Sequence, residues 1–319
     1  MAMKSEIDLW SLRVFLAVCE TGSMTEAGRK LKLTQPAVSR IIRQLDETIG
    51  QPVMDRDLRP IRLTNAGEAL RKKGERVLRE ADELIPTVRE AVKGKLALLR
   101  IGLIESVSSL LVPLLTGEIA KFAATLSVWE GHSDQHRDAL KSRELDLVVT
   151  SNTHDNDGLE RIKLVSEPCI LVLPAELAGT APLDLEALAD ALPFLRYSAR
   201  TYTGSLIDRH LRRLDINIAR QLEFDSTRLL ISMVSAGRGW TIITPTSLLG
   251  ARYDRMKVVP QPLPTAPLVR ETVIVSRKGE LGSMPARLAD AATTLLRTSY
   301  LIEALAQMPW LEGQLVVHR

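Results

Sequence analysis

The sequence predicts an α/β protein with a helical N-terminal part, and three observations carry that expectation. Apolar residues recur at helical spacing up to Gly50, a basic stretch around Pro60 is followed by a heptad-spaced run, and beyond Gly94 short apolar strands alternate with helices.

Composition sets the outer bounds. At 319 residues, with 45% hydrophobic and 25% charged, the chain is too long for one ordinary core and divides into two or three compact units. The net charge of +3 is mild, so a nucleic-acid role has to be read from where the basic residues lie. The opening MAMKSEIDLW carries two acids and no apolar core segment, which speaks against a secretory signal. No uncharged apolar run reaches the roughly 18 residues of a membrane span, so no membrane partner is expected. Cys19 and Cys169, the two cysteines, lie in separate apolar stretches. Neither a disulfide framework nor a cysteine-based zinc site is indicated, and a reduced, cytoplasmic compartment is expected.

Over residues 8–22, Leu12, Phe15, Leu16 and Cys19 share one helical face, with Asp8 as N-cap. Gly22 turns the chain. Ser23 then caps a short helix carrying Ala27 and Leu31, with Glu26 placed as in a capping box. Thr34 caps a third helix, in which Pro36 is tolerated because first-turn N–H groups lack intrahelical partners, and Gly50 ends it. Val38, Ile41, Ile42, Leu45 and Ile49 fall on one face; Pro36, Ser39, Arg40 and Arg43 fall on the other.

Residues 53–64 read as a hairpin or wing in which Arg56, Arg59 and Arg62 alternate with Leu58, Ile61 and Leu63. From Asn65 onward Leu70, Val77, Leu84 and Ala91 recur every seven residues, supported by Leu78, Ala81, Ile85, Val88 and Val92, the pattern of a helix that needs a partner. Pro86 predicts a kink or an early stop.

Strands are expected at 97–103, 126–130, 145–150, 169–173, 194–197, 221–224, 240–243 and 271–276, and helices at 108–122, 203–214 and 227–236. A polar helix should end near Leu140 and a long one should close the chain. Strand, helix, strand implies parallel pairing.

A helix-turn-helix needs donors near the start of its second helix, because that end reaches base edges in the major groove. Residues 23–50 meet this requirement. Gln35 can pair with adenine, Arg40 or Arg43 with guanine or phosphate, and Ser23, Thr25 and Ser39 can donate to phosphates. Arg56, Arg59 and Arg62 would lie along the backbone or minor groove. The competing explanation is that Arg40 and Arg43 merely form a solvated helix face.

The run TGSMTEAGRKLKLTQPAVSRIIRQLDETIGQPVMDRDLRPIRLTNAGEAL resembles the N-terminal domain of the LysR-type transcriptional regulators. It has the small N-cap, the S/T-Q-P-A-x-S-R recognition helix, the basic wing and L-T-x-A-G, nearly unbroken over residues 8–70. Gly28 departs from the family's alanine, at about 1 kcal/mol of helix propensity. The resemblance implies a sequence-specific, double-stranded-DNA-binding regulator that dimerises through the linker helix, assembles to a tetramer, and meets RNA polymerase at the promoter. It places Gln35, Pro36, Ser39, Arg40 and Arg56 against DNA. It also implies an effector domain of two α/β subdomains resembling a periplasmic-binding-protein fold.

The implied divisions are a winged helix-turn-helix at 1–64, a linker helix at 65–94, effector subdomain I at 95–166 completed by 267–302, subdomain II at 167–266, and a C-terminal tail at 303–319. The chain would cross between subdomains at 164–168 and in the stretch holding Pro260, Pro262, Pro264 and Pro267. The effector cleft would involve Ser106, Val107 and Ser108 beside Glu105, then His132, Thr150 and Ser151, with Ser198, Tyr202, Thr203, Ser226 and Thr227 opposite. Free N–H groups of the helix after Ser106 and Ser108 favour an anionic metabolite, while Glu105 in the same loop runs against one. Each of these residues also reads as a simple cap or turn residue.

No enzyme is indicated: G-x-S-x-G, P-loop and H-E-x-x-H are absent, and Gly237-Arg238-Gly239 follows a helix, the reverse of a dinucleotide fingerprint. His132 and His136 lie four apart around Asp134, which reads better as an exposed polar helix than as a metal site. No catalytic residue, metal or cofactor is expected beyond a small-molecule effector.

Overall fold

In the computed structural model the chain forms two units, Met1–Lys93 and Gly94–Arg319. The structure describes residues 7–55, 60–91, 95–151, 158–177, 179, 184–219, 222–255 and 257–318.

The N-terminal unit begins with α1 (Leu9–Thr21), α2 (Met24–Leu31) and α3 (Gln35–Ile49). Asp8, Ser23 and Thr34 cap them, their side-chain oxygens accepting the N–H groups of Ser11, Glu26 and Ala37. The capping box at α2 is only half made, because the Glu26 carboxylate pairs with Arg29 at 2.7 Å. Val14, Phe15, Val18, Ala27, Val38 and Ile42, all fully buried, join the three helices in one core. Gly28 has a local reason: a Cβ there would lie 2.8 Å from the Leu33 carbonyl oxygen, at the turn between α2 and α3.

The wing is an antiparallel pair, β1 (Met54–Asp55) and β2 (Arg62–Leu63), with Asp55 opposite Arg62. Thr64 anchors its base: the backbone N–H donates to the Val53 carbonyl at 3.2 Å and the hydroxyl to the Pro52 carbonyl at 2.7 Å. The same hydroxyl accepts the Gly67 N–H at 3.1 Å, opening α4 (Asn65–Ala91). A Cβ on Gly67 would stand 1.9 Å from the Val53 carbonyl oxygen, so only glycine fits. Thr64 and Gly67 are the threonine and final glycine of L-T-x-A-G, which thereby gains a mechanical meaning.

The 27-residue α4 does not stop at Pro86. Proline frees the carbonyl four residues back, that of Asp82, and both residues are exposed, so water can satisfy the lost bond. Leu78 of α4 is buried and Arg13 of α1 pairs with Asp82. Leu84, Ile85 and Val88 remain 63, 62 and 59% exposed. Val92 lies outside the described residues.

The C-terminal unit opens with β3 (Leu96–Ile104), α5 (Glu105–Ile119), β4 (Ala123–Gly131), α6 (Ser133–Lys141), β5 (Leu147–Ser151) and β6 (Leu159–Pro168). There follow β7 (Ile170–Pro174), α7 (Leu185–Ala191), β8 (Leu195–Tyr197), α8 (Tyr202–Arg213), β9 (Leu222–Phe224), α9 (Thr227–Ser235), β10 (Thr241–Ile243), α10 (Pro245–Gly250) and β11 (Val258–Pro262). The chain closes with β12 (Val269–Arg277), α11 (Met284–Leu295), a π turn at Leu296–Tyr300, α12 (Leu301–Gln307) and β13 (Val316–Val317).

The large sheet has the order β13-β6-β12-β5-β3-β4 and a smaller one the order β10-β7-β11, with β8 and β9 paired beside it. Parallel pairing holds for β3 with β4 and β5, whereas β12 runs antiparallel to β5 and β6. Three strands were not expected, β6, β11 and the short closing β13. β6 carries Glu160, Arg161 and Lys163 in its half-exposed first part, which masks its alternation. β11 contains Pro260 and Pro262, which a strand accepts because β11 is a sheet edge. The first crossing therefore falls at Cys169, between β6 and β7, not at 164–168. The second occupies residues 263–268, and the Cys169 N–H donates to the Leu268 carbonyl at 2.7 Å, joining the two.

Residues 303–319 are not a loose tail. Met308 and Leu311 are fully buried, and β13 pairs with β6. Among the described residues no helix is long and apolar enough to cross a membrane.

Candidate DNA-reading face and effector cleft

Capping by Thr34 and the start of α3 at Gln35 fix which side chains lead that helix. Gln35, Pro36, Arg40 and Arg43 are exposed, and Ser39 is half-buried between them. Among the described residues neither Arg40 nor Arg43 has an ion-pair or hydrogen-bond partner, so both guanidiniums are unengaged on the face opposite Val38, Ile42 and Leu45. Thr25 is exposed in the first turn of α2, and Ser23 is half-buried as its cap. Arg62 is exposed on the wing. Arg56 and Arg59 lie outside the described residues.

In the C-terminal unit a cavity opens where α5, β4, β5, α8 and β12 converge. It is lined by Ser106, His132, Ser151, Tyr202 and Thr203, all expected from sequence, and by Glu105, Tyr197, Thr201, Asp225 and Arg270. The cavity is open to solvent on one side and offers about 40 Å³, room for a few water molecules. Among the described residues the hydroxyls of Ser106 and Ser151 are buried without a partner, as is Nε of Arg270.

Of the remaining expected cleft residues, Ser108 and Thr227 line an adjoining small cavity with Glu105, Ser106 and Glu130, and the others line neither. α5 starts at Glu105, earlier than expected, which turns Val107 into the core at 1% exposure. Thr150 is fully buried in β5. The Ser108 hydroxyl donates to the Glu130 carboxylate, and the Ser198 hydroxyl accepts the Arg200 N–H at 3.3 Å. Ser226 and Thr227 hold Glu105: its carboxylate accepts the Ser226 hydroxyl at 3.0 Å, the Thr227 N–H at 2.8 Å and the Thr227 hydroxyl at 3.0 Å. The first turn of α9 thus already carries an anion, supplied by the chain itself. Thr227 also bonds to the Tyr197 hydroxyl, whose proton is held more firmly than usual, first through burial and then through nearby Glu105.

Behind the cavity, Arg270 and Glu167 form a buried pair that sequence reading missed. Glu167 accepts from Arg270 at 2.5 Å, from the Thr246 N–H and Tyr300 hydroxyl at 2.9 Å each, and from the Thr246 hydroxyl at 2.5 Å. Arg270 also donates to the Thr203 hydroxyl at 3.3 Å. The available signal was a charged residue at each end of the crossings. Burial and neighbouring His132 lower the pKa of His136 to about 4, against the smaller opposing effect of the Trp129 backbone. Among the described residues no group of three or more metal-ligating side chains occurs.

A capped recognition helix with free guanidiniums, a wing and a separate α/β unit with a cleft define a DNA-binding regulator with a ligand-binding module. Residues 9–68 match the bacterial regulatory helix-turn-helix protein, lysR family, and residues 93–296 the LysR substrate binding domain. The chain belongs to the LysR family of transcription regulators and is a regulator rather than an enzyme. It is similar to the transcriptional regulator BsdA of Bacillus subtilis, 25% identical with 76% of this chain and 85% of the relative covered. It also resembles IlvR of Caulobacter vibrioides, 28% identical with 86% and 93% covered. Among solved structures, full-length CbnR complexed with its target DNA matches with a TM-score of 0.70 at 19% identity, covering 91% of this chain and 100% of that one. A full-length OxyR variant from Pseudomonas aeruginosa matches at 0.58 and 21% identity, with 90% and 95% covered.

Proposed function

We propose that this chain binds an interrupted palindrome beside a promoter as a dimer joined through α4, assembles further to a tetramer, and contacts RNA polymerase there, in the cytoplasm. The observation that carries the reading is the free face of α3, where Gln35, Arg40 and Arg43 stand unengaged opposite a buried stripe. The exposed Leu84, Ile85 and Val88 on α4 support the dimer, since a monomer would leave them in water.

A small molecule entering the cleft changes the closure of the C-terminal unit and thereby the spacing of paired DNA-binding units on bent DNA. The buried, unpartnered Ser106 and Ser151 hydroxyls support a polar ligand. No cofactor beyond that effector is needed. The expectation of a simple anionic metabolite is weakened, because Glu105 fills the α9 N-terminus and Glu130 faces Ser108.

Genomic DNA pull-down with the purified protein, followed by footprinting at stated salt, tests the reading. A protected interrupted palindrome beside an operon is the expected result. Sequence-blind recovery would replace the regulator with an architectural DNA binder.

A further inference from the structure

Resting on the cleft as effector site, its chemistry can be read further. Ser106, Ser151 and Arg270 line the cavity at 6, 1 and 2% exposure, and among the described residues each carries a buried polar atom without a partner. A buried hydroxyl or guanidinium N–H without a partner is costly, so a ligand that supplies one recovers that cost. Nε of Arg270 can only donate, which calls for an acceptor such as a carboxylate.

Charge calls for something more. Glu167 already balances Arg270. The cavity also carries Glu105, whose bonds come only from uncharged groups, and Asp225, which is exposed and has no partner among the described residues. Oε1 of Glu105 accepts a single bond, from Ser226, and keeps a lone pair. A simple carboxylate would meet a net negative site, and a simple amine would leave Nε of Arg270 unanswered.

We propose that the effector is a small zwitterion, an α-amino acid with a compact uncharged side chain, its ammonium toward Glu105 and Asp225 and its carboxylate toward Ser106, Ser151 and Arg270. The small space, about 40 Å³, favours a compact side chain over a bulky one.

Thermal-shift and calorimetric titrations of the full chain test this, using small neutral L-amino acids, each beside its des-amino carboxylic acid and its decarboxylated amine. At least one amino acid should raise the melting temperature and bind at millimolar concentration or tighter, at least about tenfold better than its matched acid or amine. Asp225→Asn, at an exposed position, and the near-isosteric Glu105→Gln should each weaken it about tenfold. An acid or amine that binds as well as its amino acid overturns the zwitterion and leaves the effector cleft standing. Binding indifferent to both substitutions overturns the placement. No shift with any member, while DNA footprints persist, overturns the zwitterion and leaves the DNA-binding regulator standing.

Discussion

Glu167 and Arg270 lie directly opposite each other on β6 and β12, their side chains in contact at 2.5 Å with 0 and 2% exposure. Such a pair gains little over apolar residues but is costly to break one-sidedly. Arg270→Met should lower stability by about 3–5 kcal/mol by stranding the carboxylate, and the double variant Arg270→Met, Glu167→Leu should recover a large part. Thermal unfolding of these two variants and of Glu167→Leu alone checks this; additive losses would show the two residues are uncoupled.

Arg40 and Arg62 should fail differently. Arg40→Ala removes a candidate base contact and should cost about 1–3 kcal/mol of specific affinity with relaxed selectivity at one base pair. Arg62→Ala should weaken all sequences alike and reduce the salt dependence by about one phosphate contact. Competition binding against single-base variants at several salt concentrations separates them, and undiminished affinity and selectivity would remove Arg40 from the reading face.

Gly67→Ala should destabilise the N-terminal unit by about 2 kcal/mol or more, because its Cβ would overlap the Val53 carbonyl at 1.9 Å. Thermal melts report it. A variant as stable as the parent would show that the base of the wing can shift.

Leu84→Glu with Val88→Glu should convert a dimer to a monomer while leaving the helix content intact, since both side chains are exposed. Sedimentation velocity and circular dichroism together decide; an unchanged dimer would move the interface off this stripe.

His136 gives the fold an acid-sensitive contribution. Its pKa is lowered from 6.5 to about 4, so folding favours the neutral ring. The stabilisation is complete above the unfolded value and is lost as pH falls from 6.5 through about 4, about 3 kcal/mol in all. A His136→Leu variant should show a shallower decline over that interval; equal slopes would assign the sensitivity to other groups.

Local chemistry made the N-terminal unit legible. Asp8, Ser23, Thr34, Gly22 and Gly50 mark helix ends through bonds made within a few residues, so sequence alone locates them. Of the kink or early stop expected at Pro86 the early stop does not occur, because the consequence of a lost backbone bond depends on whether water reaches the freed carbonyl. Pro260 and Pro262 misled because edge position is a property of the finished sheet. The cleft was legible in part: Ser106, His132, Ser151, Tyr202 and Thr203 line it, whereas Ser226 and Thr227 are bound to Glu105 from a segment 121 and 122 residues away. The Glu167–Arg270 pair spans 103 residues and has no local signature.

Only Cys169 separates β6 from β7, and its N–H is bonded to Leu268 of the returning crossing. The two halves of the C-terminal unit are therefore mounted on a short two-stranded torsion bar. Such a ribbon resists stretching and sideways shear far more than it resists twist, because twisting spreads over soft backbone dihedrals while stretching strains covalent geometry. Any rearrangement of the two halves is accordingly expected as a change of angle, and a change of angle at the axle becomes an arc of travel that grows with distance from it.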